Sequence, residues 1–249
     1  MIDKLEKLIL EAMQSWHEED IYAMALHVWN INGNPTRPCV SLGFNTESKV
    51  QDCVSKGIDE QKARWNDRYW LASDIFTFGQ GESEADVKKW LRAYDFPSLS
   101  DIELEENAKA MEKAAKEMED QLFGDEGLLG MMKHMAGELV EEVQEEGQEE
   151  KLDEIDELNI DDLKAYGSPM FLDSQKEELR YITESFIDDL VEVVDRLHQS
   201  GELKEKFGKE IPVLILENEV DEELAEMNIS ANGEELIQDF LDYCGYYAF

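Results

Sequence analysis

Ile21-Tyr22-Ala23-Met24-Ala25-Leu26-His27-Val28-Trp29-Asn30, then Asn32-Gly33, then Cys39-Val40-Ser41-Leu42-Gly43-Phe44, is the stretch that decides the fold. In an extended chain successive side chains point to opposite sides. Tyr22, Met24, Leu26 and Val28 then share one face, and Ala23, Ala25, His27 and Trp29 share the other. Both faces are largely apolar, which predicts a strand over Ile21–Asn30 that is mostly buried. Asn32-Gly33 is a turn signal because both residues tolerate positive φ. Asn34-Pro35 and Pro38 lengthen the loop. Cys39–Phe44 reads as the returning strand of a hairpin, with Val40, Leu42 and Phe44 on one face.

Upstream, Ile2, Leu5, Leu8, Ile9, Ala12, Met13 and Trp16 recur at helical spacing and predict an amphipathic helix ending near His17. Downstream, Asn45 or Thr46 caps a short helix over Glu47–Ser55. Trp65, Tyr69 and Trp70 form an aromatic cluster beyond it. Ser83 with Asp86 is read as the cap of a helix carrying Val87, Trp90 and Leu91.

From Ser100 the composition shifts. Ser100 and Glu103 make a capping box. Ile102, Met111, Ala115, Met118 and Leu122 trace one helical face, and Leu128–Val143 traces a second. Glu141–Glu150 is a glutamate run that frays its own helix end by like-charge repulsion. Glu145–Asp162 is read as a solvated loop. Ser174 and Glu177 make a further capping box before the apolar stripe Leu179, Ile182, Phe186, Leu190, Val193, Val194 and Leu197. Ile211–Leu216 reads as a buried strand with Pro212 at its start. Leu236, Ile237, Phe240 and Leu241 mark a last helix, and the aromatic tail Tyr243–Phe249 packs back on the domain.

Few, widely separated strands, two of them antiparallel neighbours, predict an α+β fold: a small, mostly antiparallel sheet packed with several amphipathic helices. The expected organisation is one domain over residues 1–249 with a helical acidic insertion at about 100–165.

Sixty acidic residues stand against 23 basic ones, a formal net charge of −37. Such a surface repels nucleic acid phosphate and anionic lipid and accelerates encounter with a basic protein. Salt adaptation or simple solubility is the other reading of the same charge. No apolar run approaches the roughly 20 residues of a membrane helix, and the charged N-terminus does not read as a signal peptide. Three cysteines, Cys39, Cys53 and Cys244, form no CxxC pair, which argues against a disulfide framework or a cysteine-rich zinc site. The expectation is a cytoplasmic protein that needs no cofactor and no metal.

No GxGxxG, P-loop, HExxH or GxSxG pattern is present. Gly79-Gln80-Gly81 reads as a plain turn rather than a phosphate loop. No two of His17, His27, His134 and His198 share helix-face spacing, so no ligand pair is legible. His27 reads as a core histidine, with a dyad to Cys39 or Cys53 as the catalytic alternative. Asn228-Ile229-Ser230-Ala231-Asn232-Gly233 resembles the start of a calcium loop. Glu235 falls where that loop needs an apolar residue, so a turn followed by a helix start is the preferred reading.

Ile21–Leu26 as a YAxAL strand, Asn45-Thr46-Glu47 as an NTE turn and Trp65–Trp70 as a Trp-x4-Trp helix start resemble an uncharacterised bacterial family of unknown function. Families of that kind are associated with toxin–immunity loci. The resemblance implies no catalytic residues and an immunity-type role. With the charge, it leads to a non-enzymatic acidic protein that binds a basic protein. Trp65, Arg68, Tyr69 and Trp70 are its candidate contacts, because Trp, Tyr and Arg dominate binding hot spots. Glu141, Glu142, Glu145 and Glu146 are the acidic ones. Core packing of the aromatics is the competing view of Trp65–Trp70. The alternative function is an enzyme with a site near His27.

Overall fold

Asn32 and Gly33 both take left-handed φ, 55° and 70°, and reverse the chain between the two long strands. The computed structural model describes residues 1–100, scattered positions from 102 to 116, and 169–246. The chain divides into two compact units, Met1–Ser98 with Arg180–Phe249, and Leu99–Leu179.

The first unit carries the sheet. Strand β1 (Ile21–Asn30) pairs antiparallel with β2 (Pro38–Thr46). A two-residue β3 (Thr77–Phe78) adds to the far side of β2, and β4 (Val213–Leu216) adds parallel to β1. The order β3-β2-β1-β4 is mixed and mostly antiparallel, so the fold is α+β as expected.

Strict alternation fails at one residue. The register jumps between Ile21 and Ala23, a bulge at Tyr22. A bulge inserts one residue and re-aims the side chain. Tyr22 therefore joins Ala23 and Ala25 rather than Met24, Leu26 and Val28. This corrects the face expected for it.

On the Ala23–Ala25 face lie α2 (Glu47–Ser55), α3 (Glu60–Trp65), α7 (Glu222–Asn232) and α8 (Glu234–Cys244). They contribute Val50, Trp65, Ala225, Ile237 and Phe240 to one cluster with Leu214 and Leu216. The other face, with Met24, Leu26, Leu42 and Phe44, is covered by α1 (Ile2–Gln14), α4 (Glu84–Ala93), the part of α5 (Pro169–Ser200) from Ile182 onward, and α6 (Glu202–Phe207). Trp16 meets Phe44 at 4.5 Å between ring centroids, and Trp90 meets Phe186 edge-on at 5.4 Å. Each large apolar side chain so buried contributes about 2 kcal/mol.

Thr46 Oγ1 accepts from Lys49 N at 3.1 Å and caps α2. Ser83 does not cap α4. Its hydroxyl accepts from Gly79 N and donates to Gln80 O, both at 2.9 Å, locking the preceding turn instead. α5 begins at Pro169, five residues ahead of the expected Ser174 cap, and proline's fixed φ suits a first helical position. Asn228–Asn232 lies inside α7 rather than in a turn or calcium loop. Asn228 exchanges two hydrogen bonds of 2.8 Å with the Ile215 backbone, and Asn232 does the same with Val213 at 2.7 and 3.1 Å. These two carboxamides, one helical turn apart, pair with the outer backbone of β4 as a neighbouring strand would.

In the unit Leu99–Leu179, Ser100 and Glu103 form the capping box reciprocally, Ser100 N to Glu103 Oε2 at 2.8 Å and Glu103 N to Ser100 Oγ at 3.3 Å. The described positions between 102 and 116 are helical. The second acidic helix, the Glu145–Asp162 loop and residues 247–249 lie outside the described residues. Tyr246 of the tail packs back, its hydroxyl donating to Val220 O at 2.9 Å, whereas Tyr243 is exposed. Among the described residues no helix is long and apolar enough to cross a membrane.

Candidate functional site

Trp65 and Trp70 are 6% exposed and belong to the core cluster. Trp65 Nε1 donates to Asp239 Oδ2 at 3.3 Å, and Trp70 Nε1 to Arg64 O at 2.8 Å. Trp65 is also the last residue of α3, so the Trp-x4-Trp segment closes a helix rather than opening one. These burials remove both tryptophans from the set of surface contacts. Arg68 stays exposed and Tyr69 half-buried, with Lys62 5.8 Å above the Tyr69 ring. Glu141, Glu142, Glu145 and Glu146 lie outside the described residues.

The segment is tied to the hairpin by a dense polar knot. Asn45, fully buried, donates to the Tyr22 hydroxyl at 2.9 Å and to Ala63 O at 3.2 Å, and accepts from Leu71 N at 3.2 Å. Arg64 forks onto Glu47 at 2.8 and 2.7 Å and lies 4.6 Å from the Tyr22 ring centre. The hydrogen bond from Arg64 holds the Glu47 carboxyl below its usual range. Desolvation raises the Tyr22 phenol above its ordinary value.

His27 lies on the same face. Its Nδ1 is 3.4 Å from Asp67 Oδ2, its ring stands edge-on to Trp70 at 6.2 Å, and its Nε2 is buried with no hydrogen-bond partner among the described residues. Glycine at 43 makes room for this ring. A Cβ there would stand 3.2 Å from Nε2 and 2.8 Å from Ala72 O. Burial lowers the imidazole's affinity for a proton, and the Asp67 charge works against that shift. Among the described residues neither thiol is paired with His27. Cys53 Sγ lies 3.9 Å from Tyr69 O. Cys39 packs against Gly79, where a Cβ would stand 2.9 Å from its Sγ, and burial pushes its thiol up to about 11. A protonated thiol is a poor nucleophile.

Gly79 takes φ +108° in that close approach, and the first turn of α4 carries Glu84 and Asp86. Two carboxylates at a helix start repel an anion, and the segment bends at Gly79-Gln80 into a short 3-10 turn over Gly81–Ser83.

A cleft of about 360 Å³ opens on the other face, between α1, α4 and α5. Asp189 of α5 is 7% exposed and lines it. One of its oxygens accepts from Trp90 Nε1 and the other from Tyr94 OH, each at 2.8 Å. That bond to Asp189 raises the Tyr94 phenol above its ordinary value. Lys4 pairs with Asp86, and Arg196 pairs with Asp3, Glu6 and Glu192. By its spacing in the sequence Trp90 is only a helix-face residue. The missed signal is Asp189 itself, a carboxylate at a core-facing position of the stripe Ile182, Phe186, Val193 and Leu197.

Among the described residues no group of three or more histidine, cysteine, aspartate or glutamate side chains is placed to hold a metal ion. Comparison of the chain with protein-family models, with curated proteins and with solved structures finds no match in any of the three.

Proposed function

We propose that the chain is a non-enzymatic acidic protein that binds a basic protein partner, with inhibition of a basic toxin in the manner of an immunity protein as its narrower form. The observation that supports it is the disposition of charge. Acids outnumber bases 60 to 23, and many of the bases are engaged within the chain. Lys4 pairs with Asp86, Lys56 with Asp52, Arg64 with Glu47, Lys88 with Glu84, Arg180 with Glu184 and Glu223, and Arg196 with Asp3. The acids left over make a field that steers cations inward. The unit Leu99–Leu179 holds 26 acidic residues against 7 basic ones, and the rest of the chain 34 against 16. Charge density is therefore highest in the unit that contains the candidate glutamates.

The test is co-purification from the source cells at low and high salt. A basic protein held in fixed ratio at low salt and released at high salt supports the proposal. Recovery of the chain alone at both salts overturns it and leaves the charge to solubility. A second reading, an enzyme with its site near His27, draws on the Asp67–His27 pair and on the buried Nε2 that has no partner among the described residues. It requires a reacting group within reach of that nitrogen.

A further inference from the structure

The cleft between α1, α4 and α5 holds a charge that its own donors do not cancel. Trp90 and Tyr94 are neutral, so their hydrogen bonds stabilise the Asp189 carboxylate without neutralising it. Each carboxylate oxygen keeps a second lone pair. Two of the nearby cations are committed elsewhere, Lys4 to Asp86 and Arg196 to Asp3, Glu6 and Glu192. Lys89, exposed at the rim, and the Met1 amine, which also lines the cleft, have no carboxylate partner among the described residues. A buried carboxylate with a lone pair left on each oxygen attracts a cation to the cleft. The volume, about 360 Å³, suits a small organic group.

We propose that this cleft is a binding site for an organic cation, an ammonium or guanidinium group, received between Asp189, Trp90 and Tyr94. The group is either a free amine or an arginine or lysine side chain of a basic protein. The second source rests on the binding function proposed above, and the first does not.

The Trp90 indole N–H reports on the site, since it donates directly to Asp189. Its resonance in a proton–nitrogen spectrum is identified by its loss in Trp90→Phe. Agmatine, titrated at constant ionic strength, is expected to move this resonance saturably. The Trp65 indole, bonded to exposed Asp239, is expected to stay still. Lys89→Ala removes a like charge from an exposed position and is expected to tighten agmatine about threefold. Asp189→Asn is expected to abolish the shift. Lys89→Ala carries the test should Asp189→Asn fail to fold.

Three results overturn the site: no shift at Trp90, equal unsaturable shifts at Trp90 and Trp65, or saturable binding of propionate that Lys89→Ala weakens. A blocked Gly-Arg-Gly tripeptide separates the sources. Binding of both probes supports a protein side chain as occupant, and binding of agmatine alone supports a free amine. Agmatine binding is measured without any partner, so failure of the co-purification removes the partner and leaves the cation site standing.

Discussion

Two tryptophan–aspartate pairs lie on opposite faces of one sheet, and their surroundings give them different weight. Trp65 reaches Asp239 at 3.3 Å, with Gln61 also on that carboxylate at 3.4 Å, and Asp239 is exposed. Trp90 reaches Asp189 at 2.8 Å, Tyr94 joins it at 2.8 Å, and Asp189 is buried. A carboxylate in water exchanges one set of hydrogen bonds for another on folding, so its net contribution is small. The buried carboxylate of Asp189 holds the equally buried Trp90, whose N–H has no water to fall back on. The same two residue types are therefore a surface contact in one place and a structural and electrostatic centre in the other.

The largest expected effect separates these pairs. Asp189→Ala leaves the buried Trp90 N–H without an acceptor and is expected to lower unfolding free energy by about 3 kcal/mol in urea denaturation. Asp239→Ala is expected to cost under about 1 kcal/mol. Equal losses would dissolve the distinction between the two faces.

A smaller effect belongs to the Trp70 face alone. Burial depresses the His27 pKa below its ordinary 6.5, so the unfolded chain binds the proton more readily. Native stability from this residue is complete above that value and declines as pH falls from it through the folded pKa. The slope is at most about 1.4 kcal/mol per pH unit. Stability measured from pH 7.5 to 5.5 is expected to show this decline, and His27→Gln to flatten it. An unchanged curve in His27→Gln would assign the slope to other groups.

The smallest effect tests what remains of the aromatic–arginine patch. Arg68→Ala, on an exposed side chain, is expected to stay within about 0.5 kcal/mol of the parent in stability. Loss of its positive charge is nonetheless expected to strengthen retention of a basic partner at low salt. Loss of stability instead would place Arg68 with Arg64 as a structural residue.

The hairpin was legible because its two signals are local: apolar residues on both faces of Ile21–Asn30, and two positive-φ residues at Asn32-Gly33. The helix over Glu47–Ser55 was legible for the same reason, since Thr46 caps it within three residues. The bulge at Tyr22 was not, because alternation carries no mark of an extra residue. The helix Glu222–Asn232 was missed because Asn228, Ser230 and Asn232 have weak helix propensity. Asn228 and Asn232 are stabilised there by β4, which is brought alongside by the fold.

The candidate site divides in the same way. The aromatic composition of Trp65–Trp70 was visible, but composition does not distinguish a contact surface from a core. Burial at 6% decides that for Trp65 and Trp70. Asp189 stands 99 residues from Trp90 and 95 from Tyr94, and no spacing rule joins positions so far apart.

The chain by itself determined the acidic charge, the α+β class, the hairpin and the helix periodicities, since these follow from composition and from interactions within a few residues. Only the tertiary structure decided the parallel docking of β4, which face Tyr22 takes, the burial of Trp65 and Trp70, and the meeting of Asp189 with Trp90 and Tyr94. Each of those depends on which distant segments exclude water from one another, and that is a property of the packed chain.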